Sequence, residues 1–481
     1  MMSRNPAPPR QPSPIGYAII ATARALGRWR LELATLTATI LIIGNAYTGI
    51  SPIAQTATLA LAAGITAFLI TIAVLDRALL APITAPPRRR LRHARIRRHW
   101  QNAAQHAGCT SRVARIEPSP VGEALTIKVT DKTTVKDLDT QAGRIATRLA
   151  GHPLATQPKI REVNVNTIRQ DPSRARVLLV RRDPFDDPRP VPWPNEHATQ
   201  LRFDDPIPFA VDIEGRPIPV DLSNGHLLIG GATGAGKSIA FRPLLASAAL
   251  DPHAQLWLLD GKEIEFTAWA PAATQYSDAN LTAAKKLLAA LDDEMTGRYQ
   301  QIKSGAMTAH DFPRIVLAVD EIAIYLNTAS TTKQDGSNIK AIAEHMRRII
   351  SLGRAARITI IAATQQPDAD TIPTQIRNIF TDRFALRCST SQMSDMILGP
   401  WAGKDQGGYD ASKIVGQGDD PNLPGGQPGV GYLLTGGRRP RRVRGVFVTN
   451  QGVEAIVSRV VGLRLDAGLD GVEASVWGSD A

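Results

Sequence analysis

The chain has 481 residues and a formal net charge of +12, carried mostly by arginine. The length leaves room for several folded units, and a balance this basic argues for a polyanionic partner: nucleic acid, anionic lipid or both. Cys109 and Cys388 are the only cysteines and lie far apart, which excludes a disulfide framework and a cysteine-rich metal site and suits a reducing compartment.

Taken from the N-terminus, residues 1–30 form a basic, Pro-rich opening segment that is expected to be disordered. From Leu33 to Leu75 no residue is charged, and Gly49-Ile-Ser-Pro52 divides the stretch into two apolar segments. Each approaches the length that crosses a bilayer as a helix, so residues 31–80 are predicted to form a two-helix transmembrane hairpin. Arg4, Arg10, Arg24, Arg28 and Arg30 precede it, Arg77 and the run Arg88–Arg98 follow it, and the turn between the spans carries no charge. By the positive-inside rule this predicts a cell-membrane protein with both termini in the cytoplasm. The run at Arg88–Arg98 is suited to anionic lipid headgroups next to the membrane; binding to DNA is the other reading.

Residues 81–195 are expected to hold this juxtamembrane segment, a small α/β domain and a Pro-rich linker. Glu123–Val129 alternates like a half-buried strand, Thr134–Ala150 has helical spacing, and Glu162–Asn166 and Ala175–Val180 read as further strands. None of them carries chemistry; a neck or assembly collar is the expected use. Asp183–Pro194 is the linker.

The chemistry lies in residues 196–450. Gly231-Ala-Thr-Gly-Ala-Gly-Lys-Ser238 stands between a short apolar run and a helical one, the strand–turn–helix context of a phosphate-binding loop. Gly231, Ala232, Thr233, Gly234, Ala235 and Gly236 would aim backbone N–H groups at phosphate oxygens. Lys237 would reach the β- and γ-phosphates of ATP, and Ser238 would ligate Mg2+. Arg314–Val319 is an apolar run ending in Asp320-Glu321. Strands of this type are buried on both faces of a parallel sheet and bind ligands at their carboxyl ends. Asp320 is therefore predicted to hold Mg2+, and Glu321 to act as general base on the attacking water. Gln255–Asp260 and Arg357–Gln365 fit the same sheet. Gln365, at the end of its strand, is either a γ-phosphate sensor or an ordinary loop polar group.

Further on, Gly399–Gly431 is a long Gly- and Pro-rich loop, of a length that is functional or mobile. Arg438, Arg439, Arg441, Arg442 and Arg444 crowd the next turn; a grip on a phosphate backbone and a solvated hairpin are both open. Residues 451–481 are expected to be a short tail with one helix near Gly452–Leu463.

With Gly231–Ser238, Val319-Asp-Glu321 and Ala363-Thr-Gln-Gln-Pro367 on the page, the chain resembles the FtsK/SpoIIIE family of DNA translocases, and within it the single-motor Tra proteins of actinomycete conjugative elements. The resemblance extends to Asp171–Val180, Gly215–Leu222, Gly353–Arg357 and Ile376–Arg387. It implies an α/β fold with a RecA-like P-loop motor, an ATPase assembled as a homo-oligomeric ring, a hexamer by analogy, with double-stranded DNA in the pore. It also implies that Arg383 is an arginine finger acting on a neighbour's nucleotide, with Arg377 and Arg387 as weaker candidates. Gln366 departs from the family, which often has arginine there, and the tail is too short for the family's winged helix. Conjugative DNA transfer is the first expectation; chromosome segregation and type VII-like protein secretion are the alternatives.

Overall fold

The protein is described by a computed structural model that covers residues 86–130, 132–151, 159–168, 170–326, 333–365, 372–402, 409–466 and 475–477. The chain separates into two compact units, Met1–His99 and Trp100–Ala481. The predicted hairpin at 31–80 lies outside the described residues; among those described, no helix is long and apolar enough to cross a membrane. Helix α1 (Pro86–His106) carries the arginine run, with Arg92, Arg95, Arg97 and Arg98 exposed.

Within the second unit the small domain is an antiparallel four-stranded sheet. Its strands are β1 (Ser111–Ser119), β2 (Gly122–Val129), β3 (Glu162–Thr167) and β4 (Arg174–Val180), in the order β1-β2-β4-β3. Helices α2 (Val135–Thr140) and α3 (Ala142–Ala150) cover it. Thr134 starts α2 with a capping box, its side chain accepting from the Asp137 N–H while Asp137 accepts from the Thr134 N–H. Val121, Ala124, Leu178 and Val180 pack in one cluster with Ile213, Ile397 and Val430, so the small domain shares a core with the motor.

The Pro-rich linker at 183–194 is built into the fold as well. Phe185 and Trp193 are buried, and β5 (Val191–Pro192) adds to the motor sheet beside Val446 and Phe447. Arg442 donates to Asp183 at 2.6 Å, and Arg444 donates to the carbonyls of Phe185 and Asp187. Arg439 pairs with Asp139 of α2. Three of the five crowded arginines are thus spent on the fold, and two of them, Arg442 and Arg444, supply donors to a segment whose prolines cannot complete a ladder.

The motor is one large sheet. β6 (Ile207–Asp212) and β7 (Pro217–Val220) form its antiparallel edge, and β8 (Leu227–Gly230) leads through the Gly-rich loop into α4 (Lys237–Ala249). Then follow β9 (Ala254–Leu259), β10 (Gln275–Ser277), α5 (Leu281–Lys303), β11 (Arg314–Val319), α6 (Ile322–Leu326), α7 (Lys333–Leu352) and β12 (Ile358–Thr364). The chain continues with α8 (Thr374–Ile379), β13 (Asp382–Leu386), α9 (Ser391–Leu398), β14 (Val430–Leu434), β15 (Arg441–Phe447), α10 (Asn450–Asp466) and β16 (Ser475–Trp477). The order is β16-β10-β9-β11-β12-β8-β13-β14-β15-β6-β7. The run from β10 to β13 is parallel and the remainder, from β14 to β7, antiparallel.

The apolar runs read from the sequence are the central strands, and their side chains alternate between two cores. Ile315, Leu317 and Val319 of β11 face α5 and α7, while Val316 and Ala318 face the layer of α4 and α10. This three-layer α/β/α stack is the mixed α/β fold with a parallel sheet expected of a RecA-like P-loop motor. The tail helix α10 belongs to the stack: Val453, Ile456 and Val460 share the core of α4. Helix α4 runs through Pro243 without ending.

Candidate nucleotide site

Register places the ends of five parallel strands together. Gly230 of β8 lies opposite Thr364 of β12 and Ala385 of β13, and Val319 of β11 lies opposite Leu259 of β9 and Ala362 of β12. The Gly-rich loop, Asp320-Glu321 and Gln365 leave the sheet at this one edge.

The loop is held by its backbone. Gly231 N–H donates to the Thr364 carbonyl, Ala232 N–H donates to the Arg387 carbonyl at 2.8 Å, and Gly429 N–H donates to the Ala235 carbonyl. Gly236 has φ of +103°, and a Cβ there would stand 3.2 Å from the Gly429 nitrogen; only glycine meets both demands. As the residue before α4, Gly236 has no side chain to cap the helix. The first-turn N–H groups of α4 therefore face outward with no intrahelical acceptor, an arrangement that favours an anion.

Lys237 is buried, and its ammonium donates to the carbonyls of Gly231 and Ala232 at 2.9 and 3.1 Å. Burial pushes its pKa down to about 8, and Lys262 pushes the same way, while Glu321, Asp320 and Glu265 oppose them. Asp320 is buried, and burial raises its carboxyl to about 6, with Lys262 pulling it back. Its Oδ2 accepts no hydrogen bond, and Lys262 Nζ stands 3.5 Å away. A buried carboxylate oxygen without a donor, at the same sheet edge as the Ser238 hydroxyl in the first turn of α4, fits a hard cation such as Mg2+.

Glu321 and Gln365 tie the motifs together. Both oxygens of Glu321 accept from the Gln365 N–H at 3.1 Å, and the Gln365 side-chain oxygen accepts from the Thr233 hydroxyl at 2.9 Å. Gln365 thus touches both the phosphate loop and the proposed base. Gln366 and Pro367 lie outside the described residues.

Arg383 is elsewhere. It sits at the start of β13, opposite Leu228, away from the phosphate-loop end of the sheet. It is buried, and its guanidinium donates to the carbonyls of Phe380, Ile397 and Arg377, each at 3.0 Å. Burial first, and then Arg377, lowers its pKa. In this conformation it is an internal clamp between β13, α8 and α9, not a side chain presented to a neighbour. Arg377 is buried too, donating to Thr374 and Met396. Arg387, by contrast, follows β13 at the site edge and pairs with Asp419 at 3.6 Å. Arg383→Ala is expected to take the guanidinium donor from the buried carbonyls of Phe380 and Ile397, at about 1–3 kcal/mol each, while the Arg377 carbonyl keeps the Phe380 N–H. Thermal unfolding should show a clear fall in Tm; an unchanged Tm with lost ATP hydrolysis would return Arg383 to the role of a finger.

Gly429 and Lys262 escaped sequence reasoning, and Arg387 was read for another role. Gly429, inside the Gly- and Pro-rich loop, braces the phosphate loop, and no local pattern marks it. Arg387 supplies a backbone carbonyl, to which any residue type is equal. Lys262 does carry a signal: a lysine just past the end of a buried strand beside the phosphate loop.

Residues 195–400 match the family described as FtsK/SpoIIIE. The DNA translocase FtsK of Corynebacterium glutamicum is 31% identical over 296 residues, which cover 55% of this chain and 29% of that protein. The Mycobacterium tuberculosis FtsK is 30% identical, over 52% of this chain and 31% of that protein. The chain thus spans about a third of the length of the curated relatives it matches. Among solved structures, the pCW3 conjugation coupling protein TcpA, in its monomer form with ATPγS, aligns over 77% of this chain and 99% of that one, with a TM-score of 0.49 and 18% identity. The matched region takes in the phosphate loop, the Asp320-Glu321 strand and the Gln365 strand alike, so the similarity to the FtsK/SpoIIIE family falls on the candidate site.

Proposed function

We propose that this protein is an ATP-driven translocase of double-stranded DNA, anchored in the cell membrane and working as a homo-oligomeric ring, with conjugative transfer as its use. The observation that carries the reading is Gln365, which binds Thr233 of the phosphate loop and Glu321 of the catalytic strand at once. A residue so placed couples the state of the γ-phosphate to the base that activates the attacking water. The similarity to FtsK proteins supports duplex DNA as the substrate, and the net charge of +12 suits it. The two uncharged stretches within 33–75 support the membrane anchor, and the exposed arginines of α1 support anionic lipid beside it.

In this reading ATP lies along the loop with its phosphates on the first turn of α4, and Lys237 leaves its two carbonyls for the β- and γ-phosphates. Ser238 and Asp320 would hold Mg2+, which supplies charge neutralisation on the phosphates when bound. Water attacks the γ-phosphorus in line, Glu321 accepts its proton, and the bond to ADP breaks. The change at the γ-phosphate then reaches Glu321 and Thr233 through Gln365.

The test is the ATPase rate of the full chain in detergent with and without duplex DNA, across a salt series. Strong stimulation that fades as salt rises is expected, because phosphate contacts are lost to competing cations. A folded, oligomeric ATPase indifferent to DNA would favour protein secretion instead.

A further inference from the structure

The loop after β9 brings a second lysine into the site. Lys262 Nζ is 3.5 Å from Asp320 Oδ2 and 3.5 Å from Glu321 Oε2. Among the described residues it is the one cation within ion-pair range of either carboxylate. Two adjacent buried carboxylates need such a partner, since each is costly to bury unpaired. The loop is shaped to put it there. Asp260 accepts from the backbone N–H of Phe266 at 2.9 Å and of Lys262 at 3.4 Å, closing the turn from inside. Gly261 lets the backbone lie against α6, where a Cβ would meet Ile324 at 3.0 Å. Glu263 takes φ of +61°, a left-handed conformation unfavourable for a branched-off side chain. A non-glycine residue held there, directly after the lysine, marks a turn kept for its geometry.

Resting on the proposed nucleotide-hydrolysis reading, we propose that Lys262 is a displaceable counter-ion and a positioning residue of the site. Its ammonium occupies Asp320 Oδ2 until the divalent cation that arrives with the nucleotide takes that oxygen, and it stays paired with Glu321 to hold the base in place. Asp320 Oδ2 has no hydrogen-bond donor of its own, so the ammonium and the metal compete for one oxygen. The lysine side chain is 29% exposed, which leaves it room to withdraw from Asp320 while it keeps Glu321.

The experiment is Mn2+ binding to the ADP-saturated full chain, read from the loss of the free-ion EPR signal. Lys262→Met and Lys262→Gln should bind Mn2+ about 3- to 10-fold more tightly than the unaltered protein, because a like charge beside the metal ligand is gone. Lys262→Arg should stay near the unaltered value. Two substitutions of different polarity guard against one that fails to fold. Equal or weaker Mn2+ affinity in the Met and Gln variants would overturn the counter-ion role alone. An unaltered protein that shows no nucleotide-dependent Mn2+ binding would overturn this role and the nucleotide reading together.

Discussion

Lys237→Ala is expected to lower nucleotide affinity by about 10- to 100-fold, the equivalent of a charged hydrogen bond of about 1.5–3 kcal/mol. Fluorescent ATP binding measures it directly. In the resting site the ammonium is tied to the carbonyls of Gly231 and Ala232, so nucleotide must draw it away from acceptors it already has. The phosphates win because they carry full negative charge in a desolvated site. A pH series separates this role from simple packing. The folded pKa of about 8 lies below lysine's ordinary value because burial disfavours the charged form. Between about 8 and that ordinary value the unfolded chain binds the proton that the folded chain has released, so this group makes the nucleotide-free fold more stable as pH rises. Nucleotide binding runs the other way: it needs the ammonium, and affinity should decline as pH rises past about 8. Affinity flat from pH 7 to 9.5 would remove Lys237 from direct phosphate contact.

Glu321→Gln should separate binding from turnover. The amide keeps the shape of the carboxylate and its oxygen can still accept from the Gln365 N–H, now through one atom instead of two. It cannot take a proton from water. Loss of a positioned general base costs about 10²–10⁴-fold in rate, so kcat should fall within that range while ATP binding stays within a few-fold of the unaltered protein. Single-turnover hydrolysis together with equilibrium binding tests both parts. Hydrolysis at the normal rate would mean that another group activates the water. Hydrolysis and binding lost together would mean that Glu321 mainly supports the structure around Gln365.

How much of this site was legible beforehand differs from residue to residue. The phosphate loop and Asp320-Glu321 were readable because their chemistry is local. A glycine that must adopt φ of +103°, a lysine at a helix start and carboxylates ending an all-apolar strand each announce themselves within a few residues. Gln365 was half legible: its place at a strand end was clear, but the choice between sensor and loop residue needed its bonds to Thr233 and Glu321. The arginines were the least legible. A guanidinium serves equally as finger, phosphate grip or internal clamp, and the letter is the same in each case. Arg383 is buried against carbonyls of α8 and α9, while Arg442 and Arg444 reach a carboxylate and carbonyls in a segment more than two hundred residues earlier.

By itself, then, the sequence determined the apolar strands, the loop that must cradle phosphate and the carboxylates beside it, since hydrophobic periodicity and backbone strain act over short stretches. The tertiary structure alone decided which distant segments close the site. Gly429 braces the phosphate loop, Lys262 enters the carboxylate pair, and the Pro-rich segment at 183–194 becomes part of the motor under Arg442 and Arg444. Those assignments depend on strand order and on contacts across the sheet, where the energy comes from neighbours in space that no local pattern identifies.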